Sequence, residues 1–425
     1  MTGRFPFPPG RPRPLRLLGR LVGLLGADRE AARQSLVALA LNSTTSFIAG
    51  AVLGSITATF KQFPGLLVLV PAAIGLRGNV FSALGNRLST AIHAGIFRFS
   101  LRRPSLMGQN VEAALLLTLA LSFVIALVAK VVAVGLGIPG TVSVVDLAVI
   151  SILGGLLASV AVLVATLVLA EGSVRYGWDL DNVTAPLVST LGDVLTIPAL
   201  WLATFVLRVP VVPTVLGLAL IATALASLVA GWRSRRPILR QVVRESAPIL
   251  FVAVCFSTMA GVAIEKRLEV FSAFPALLIL LPAFISSAGA LGGVLSSRLS
   301  TKLHLGLIAP QPFPGRQARL DAALVLAVAA PVFLFNAAGA HLLGRLLGQA
   351  SPGFVPMVLA SMVAAAFALA FVLALAYYGT ITAIRLGVDP DTYGIPIVTS
   401  FVDFVGAVAL IVTIVALGIV QTPSG

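Results

Sequence analysis

Eleven long apolar runs follow one another along the chain, at roughly 35–59, 63–86, 111–136, 144–170, 184–207, 211–231, 247–264, 272–297, 321–346, 354–378 and 395–420. Short segments carrying Arg, Pro and Gly separate them. Most exceed the ~18 residues that a hydrocarbon core of about 30 Å demands of a helix, and the seventh sits at that limit. The pattern predicts an all-α polytopic membrane protein with eleven transmembrane helices. Ahead of them, Met1 to Gln34 is rich in Pro and Arg, and Arg16 and Arg20 interrupt its leucines. That stretch is too broken for a signal-peptide core or a span, so a short amphipathic helix lying on the membrane surface is expected.

Composition agrees with a bilayer as solvent. Of 425 residues 58% are apolar and only 10% charged, too few charges to coat a soluble domain of this size. The net charge of +14 would suggest nucleic acid in a soluble protein, but here the charges fall in loops between apolar runs, so no nucleic-acid partner is expected. With the N-terminus in the cytoplasm, 22 Lys and Arg lie inside. Six lie outside (Lys61, Lys130, Arg208, Lys266, Arg267, Arg345), and Arg77 is left within a span. This imbalance predicts N-in, C-out. The single cysteine, Cys255, excludes an intramolecular disulfide and a Cys-based metal cluster. Without a Walker motif, HExxH or nucleophile elbow, catalysis is not expected. The preference for Arg over Lys suggests a GC-rich prokaryotic genome and hence a multi-pass protein of a prokaryotic plasma membrane.

The two halves repeat. A shift of 211 residues aligns Arg33 and Ser35 with Arg244 and Ser246, Ala49-Gly50 with Ala260-Gly261, Pro71-Ala72 with Pro282-Ala283, and Arg87-Leu88-Ser89-Thr90 with Arg298-Leu299-Ser300-Thr301. A shift of 210 aligns Arg175, Gly177, Asp179, Asp181, Pro186 and Asp193 with Arg385, Gly387, Asp389, Asp391, Pro396 and Asp403. The expected organisation is a basic cytosolic tail (1–34), a first five-helix repeat (35–208), a linking transmembrane helix (209–232), a basic cytosolic loop (233–246) and a second five-helix repeat (247–425). Five crossings would invert the second repeat. The linking helix restores its orientation, so the repeats run parallel about a pseudo-two-fold axis along the membrane normal. A monomer acting as a pseudo-dimer is expected.

Few ionisable residues lie deep in the hydrocarbon. Asp193 falls about ten residues into its run, roughly 15 Å deep at 1.5 Å per residue, and Asp403 matches it. A carboxylate at a helix centre costs about 2.5 to 3.5 kcal/mol, and this sequence carries that cost twice at equivalent positions. Ser189 and Thr190 precede the first acid, Thr399 and Ser400 the second. Pro186 and Pro396, near the cytoplasmic end, leave carbonyls unbonded. Oxygen ligands without thiolate suit a hard, partly hydrated cation, Mg²⁺ before Mn²⁺ or Ca²⁺, as a transported ion rather than a resident cofactor. The competing reading is a pair of structural, protonated or helix-bonded aspartates. Pro71 with Gly75 and Gly78, and Pro282 with Gly289 and Gly292-Gly293, predict matched interrupted helices along a pathway, or else close packing through small residues. Arg77 either caps loose carbonyls or pairs with Asp193 in one state, and Ala288 holds its equivalent place. Glu112, Asp321, Glu171, Asp179, Asp181, Asp389 and Asp391 read as solvated loop charges and helix starts, or else as acids that concentrate cations at the inner mouth, and His93 and His304 as interfacial histidines.

Pro71 through Asn79, the Arg-Leu-Ser-Thr strings and Pro186-Leu-Val-Ser-Thr-Leu-Gly-Asp193 together resemble the membrane domain of MgtE-type magnesium channels, and the duplicated form is similar to the solute carrier family 41 proteins. The resemblance runs from about Arg33 onward. It implies that the fifth-helix aspartates, here Asp193 and Asp403, line a pore and contact Mg²⁺. The Gly-Asn element is kept as Gly78-Asn79 but becomes Gly289-Ala290 in the second half, which implies unequal roles. The 34-residue tail is too short for the paired CBS sensor modules of MgtE channels, so gating by such modules is not expected. A proton- or sodium-coupled carrier of another substrate, using the same aspartates with Arg77, and a non-transporting scaffold are the alternatives.

Overall fold

Hydrocarbon offers no partner to a backbone N–H or C=O, so each apolar run must bond within itself and becomes a helix. A computed structural model describes residues 29–176, 180–209, 211–304, 306–385 and 395–419, with side chains for all of these except 29–34, 93, 180–187, 189, 304 and 395–397. The tail expected to lie on the membrane surface, from Met1 to residue 28, falls outside the described residues. The first half of the chain contains α1 (Arg29–Ser55), α2 (Thr57–Gln62), α3 (Leu66–His93), α4 (Leu106–Gly135), α5 (Val144–Tyr176) and α6 (Leu180–Thr204). After α7 (Val212–Trp232) come α8 (Pro237–Glu265), α9 (Leu268–Ala273), α10 (Ala276–His304), α11 (Arg316–Leu346), α12 (Phe354–Arg385) and α13 (Ile395–Ala416). All but the short α2 and α9 are long and apolar enough to cross a bilayer, eleven among the described residues.

The segment 233–246 is not a loop beyond Arg236. Pro237 sits in the first turn of α8, where its missing N–H costs nothing, and Leu239, Val242 and Val243 bury one face while Arg240 and Arg244 face outward.

Each half packs in the same way, α3 against α4, α5 and α6, and α10 against α11, α12 and α13. The first helices cross over. α1 lies on α10 and α11 as well as α6, and α8 lies on α3 and α4 as well as α13. One contact is made twice, 211 residues apart. A side chain added at Gly50 of α1 would come within 2.6 Å of the Ile279 α-carbon in α10, and one added at Gly261 of α8 would run into the Val68 carbonyl in α3. Small residues let the backbones meet where lipid gives no hydrophobic drive to association. α7 has no equivalent. It rests on α4 and α5, with Gly217 against Val145, and leaves Val215, Leu218 and Leu225 exposed.

The prolines do not interrupt their helices as expected: α3 and α10 run unbroken through Pro71 and Pro282. Both lie in the second turn. Pro282 cannot bond the Leu278 carbonyl, and it is there that Gly50 approaches, its added carbon 2.9 Å from that oxygen. Pro282 therefore lies at the helix crossing, the carbonyl it frees facing Gly50.

A third acid, unmarked by the sequence, secures the first turn of α3. The Glu265 carboxylate, nearly buried at the end of α8, accepts from the Gly65 N–H at 2.9 Å at the start of α3. Carboxylates at helix N-termini satisfy orphan donors and complement the dipole. Glu265→Ala is expected to lower stability by about 1.5 to 3 kcal/mol, read as a lower thermal midpoint in detergent.

Candidate cation site between the two halves

α6 and α13 bring Asp193 and Asp403 to the same stretch of α3. A carbon built on Gly75 would lie 3.8 Å from Asp403 Oδ2, and one built on Gly192, beside Asp193, would lie 3.5 Å from the Gly78 amide nitrogen. Gly75 and Gly78 are three residues apart, about 4.5 Å along the helix, so the acids arrive at nearly equal heights. They lie within electrostatic range of each other. Asp193 is 7% exposed and Asp403 is half-buried.

The α3 surface they meet is a stripe of half-accessible positions: Gly75, Gly78, Asn79, Ser82 and Ala83. Gly, Asn and Ser at helical spacing are not a lipid-facing set. They suit a wetted cleft, the one setting in which polar groups are tolerated at this depth. α10 carries the matching stripe, with Ser286, Ala290 and Gly293, and a carbon added at Gly289 or Gly293 would meet nothing within 4 Å. Gly289, itself buried, thus has unfilled space beside it.

The hydroxyl at the second acid comes from a helix that the sequence did not implicate. Ser257 Oγ of α8 donates to Asp403 Oδ2 at 3.2 Å. Its equivalent 211 residues earlier, Ser46 of α1, is fully buried with its hydroxyl unpartnered. The signal was present, since Ser46 and Ser257 are identical under the shift that aligns the halves. Of the expected oxygen ligands, Thr190 faces α1 instead, accepting from Thr45 Oγ1 at 3.3 Å. Ser400 is buried, and Thr399 is half-buried and already bonded. The side chains of Ser189, Pro186 and Pro396 lie outside those described, although Pro396 falls in the first turn of α13, where a proline breaks no bond.

Arg77 turns away from both acids. Its guanidinium, fully buried, donates to the Ala73 carbonyl one turn back and through Nη2 to Ser122 Oγ of α4 at 3.5 Å. It thus caps a carbonyl and forms no ion pair with Asp193. The second half has its own polar cluster in the interface with α1: Asn42 Nδ2 donates to Ser286 Oγ at 2.9 Å, Ser43 and Ser287 hydroxyls lie 3.2 Å apart, and Asn336 Nδ2 donates to Ser287 Oγ at 2.9 Å. Ser286 stands where the first half has Gly75, so the two acids face different surroundings.

At the basic end, two acids expected to be solvated are ion-paired. Asp321, 2% exposed, accepts from Arg298 Nε at 2.9 Å and Lys302 Nζ at 2.6 Å, and Glu112 takes both terminal nitrogens of Arg236. They join helices and loops rather than attract cations. Glu171 is exposed. Asp179, Asp389 and Asp391 fall outside the described residues, as do the side chains of Asp181, His93 and His304. No group of three or more His, Cys, Asp or Glu that could cage a metal occurs among the described residues. Two carboxylates with hydroxyls and water suit an ion that keeps part of its hydration shell.

A bundle of membrane-crossing helices whose two halves bring two acids together fits a membrane transporter. The family model for MgtE, described as a divalent cation transporter, matches residues 70–203 and 281–413, one segment in each half. The chain belongs to the MgtE family of divalent cation transporters. It is 26% identical to solute carrier family 41 member 3 of Mus musculus over 372 residues, covering 82% of this chain and 74% of that one. With solute carrier family 41 member 2 of Xenopus laevis it shares 25% identity over 436 residues, 95% of this chain and 76% of the other. No solved structure matches it.

Proposed function

We propose that this transporter carries Mg²⁺ through a passage between its two halves, with Asp193 and Asp403 as the ion site. The observation that supports the reading is that Asp403 reaches Gly75 while Gly192, next to Asp193, meets Gly78 on the same Gly- and Asn-bearing stripe of α3, with the two acids within electrostatic range. Two carboxylates supply about two negative charges to a divalent ion. The hydroxyl of Ser257, the amide of Asn79 and water complete the oxygen set without stripping the whole hydration shell, which Mg²⁺ gives up reluctantly. The halves act as a fused dimer about an axis along the membrane normal, the N-terminus on the cytoplasmic side, and one chain is the working unit.

The test is Mg²⁺ entry into proteoliposomes holding an indicator dye. Uptake that saturates with external Mg²⁺ and vanishes in the D193N/D403N double variant is the expected result. Uptake that persists in that variant overturns the site, and an organic solute driven in by a proton or sodium gradient without Mg²⁺ flux overturns the substrate.

A further inference from the structure

We infer that Arg77 is a fixed counter-charge that holds down the affinity of the aspartate pair for its divalent cation, so that the ion leaves quickly. The inference rests on the reading of Asp193 and Asp403 as the ion site.

Arg77 stands on α3 between Gly75, which meets Asp403, and Gly78, which meets α6 beside Asp193. Its backbone is therefore level with the acids, and its side chain starts beside α6, the β-carbon 3.7 Å from a carbon built on Gly192, before running away from the acids toward α4 and α5. There it lies fully buried between Ser122 of α4 and Gly155 of α5, where a carbon added at Gly155 would collide with Nη2. Its Nε has no partner, and no carboxylate pairs with it among the described residues. An unpaired buried cation is expensive.

The fold has a cheaper way to fill this space, because the second half uses it. The equivalents of Arg77, Ser122 and Gly155 are Ala288, Phe333 and Ala365, all buried, with the Phe333 ring 4.9 Å from that of Phe284. A phenyl ring occupies there what the guanidinium occupies here. Packing alone thus gives no reason for the charge, and its field does. With the guanidinium turned to α4 and α5, a separation of about one helix diameter, ~10 Å, through packed protein rather than water sets the scale of its effect. At that separation and an effective dielectric near 20, a unit positive charge weakens a neighbouring cation site by at least about tenfold.

The experiment copies the second half into the first. R77A/S122F/G155A removes the charge and refills its space, and R77M keeps the stem without the charge. Mg²⁺ affinity is measured by titration calorimetry in detergent and uptake against Mg²⁺ concentration in proteoliposomes. The expected result is a Kd at least about tenfold lower than in the original protein, with KM and maximal rate both reduced, in the triple variant or, should that one not fold, in R77M. R77K, which keeps the charge, is expected to return both values toward the original. A folded charge-free variant with unchanged or weaker affinity overturns the inference, as does an R77K that behaves like R77M. D193N/D403N separates the two readings: if it still binds Mg²⁺, the site assignment fails whatever Arg77 does.

Discussion

The D193N/D403N double variant is expected to lose Mg²⁺ binding altogether, by a factor of at least about 100 in Kd, and all Mg²⁺ uptake with it. A divalent ion leaving water must recover its hydration energy from full charges. Asparagine keeps the oxygen and the shape but removes the charge, and in a cleft of low dielectric the charge dominates. The same substitution spares the fold. Each acid costs about 2.5 to 3.5 kcal/mol to hold at bilayer depth, and two at nearly the same height repel, so removing both leaves the empty protein as stable as before or more so. Thermal unfolding in detergent should therefore give an equal or higher midpoint without Mg²⁺, and the upward shift on adding Mg²⁺ should disappear. An unfolded or misassembled variant would give the opposite pattern. The single variants are expected to differ, because Asp403 already accepts from Ser257 and lies against Gly75, whereas the hydroxyl at Ser46 is unpartnered. Each is expected to lose at least about tenfold in affinity.

Much of this arrangement was legible in the chain. The apolar runs became helices because hydrocarbon permits little else, although several run on past the apolar stretch and the seventh starts at Pro237 rather than near 247, and the shift of about 211 residues that relates the halves also relates their contacts, as at Gly50 and Gly261. The paired acids could be read because deep charge is costly and this charge is duplicated. What escaped notice depends on tertiary placement. Ser257 reaches Asp403 because α8 packs on both α3 and α13, and no local pattern announces that the first helix of each half crosses to the other. Pro71 and Pro282 suggested broken helices, but a proline in the second turn frees only a carbonyl close to the helix start, and at Pro282 the opposing Gly50 closes over it. Arg77 had two readings because position along a helix fixes depth while the side-chain direction depends on which neighbours are small, here Ser122 and Gly155. Glu265 passed unnoticed because its role, holding the start of another helix, lies some 200 residues away in the chain.

Gly→Ala substitutions are expected to have opposite signs at different points of the structure. Within a helix, alanine is intrinsically favoured over glycine by up to about 1 kcal/mol. At Gly135, where the added carbon meets nothing within 4 Å, G135A should be neutral or mildly stabilising. At Gly50 and Gly261 the same carbon would strike the backbone of α10 or α3, which cannot rotate aside as a side chain can. Overpacking of this kind costs about 1 to 3 kcal/mol per site, so G50A/G261A should lose up to about 6 kcal/mol against a gain of at most about 2. Thermal unfolding and size-exclusion profiles in detergent would show a lower midpoint or an aggregated protein for the double variant and an unchanged profile for G135A. On the proposed function the damage extends to transport, because α8 also carries Ser257, the hydroxyl that bonds Asp403. Pushing these helices outward by even part of an ångström moves the hydroxyl away from Asp403, so variants that still fold should show weaker Mg²⁺ affinity. If G50A/G261A were instead as stable as G135A, the close crossing of the first helices, and with it the route by which each half completes the acid site of the pair, would be wrong.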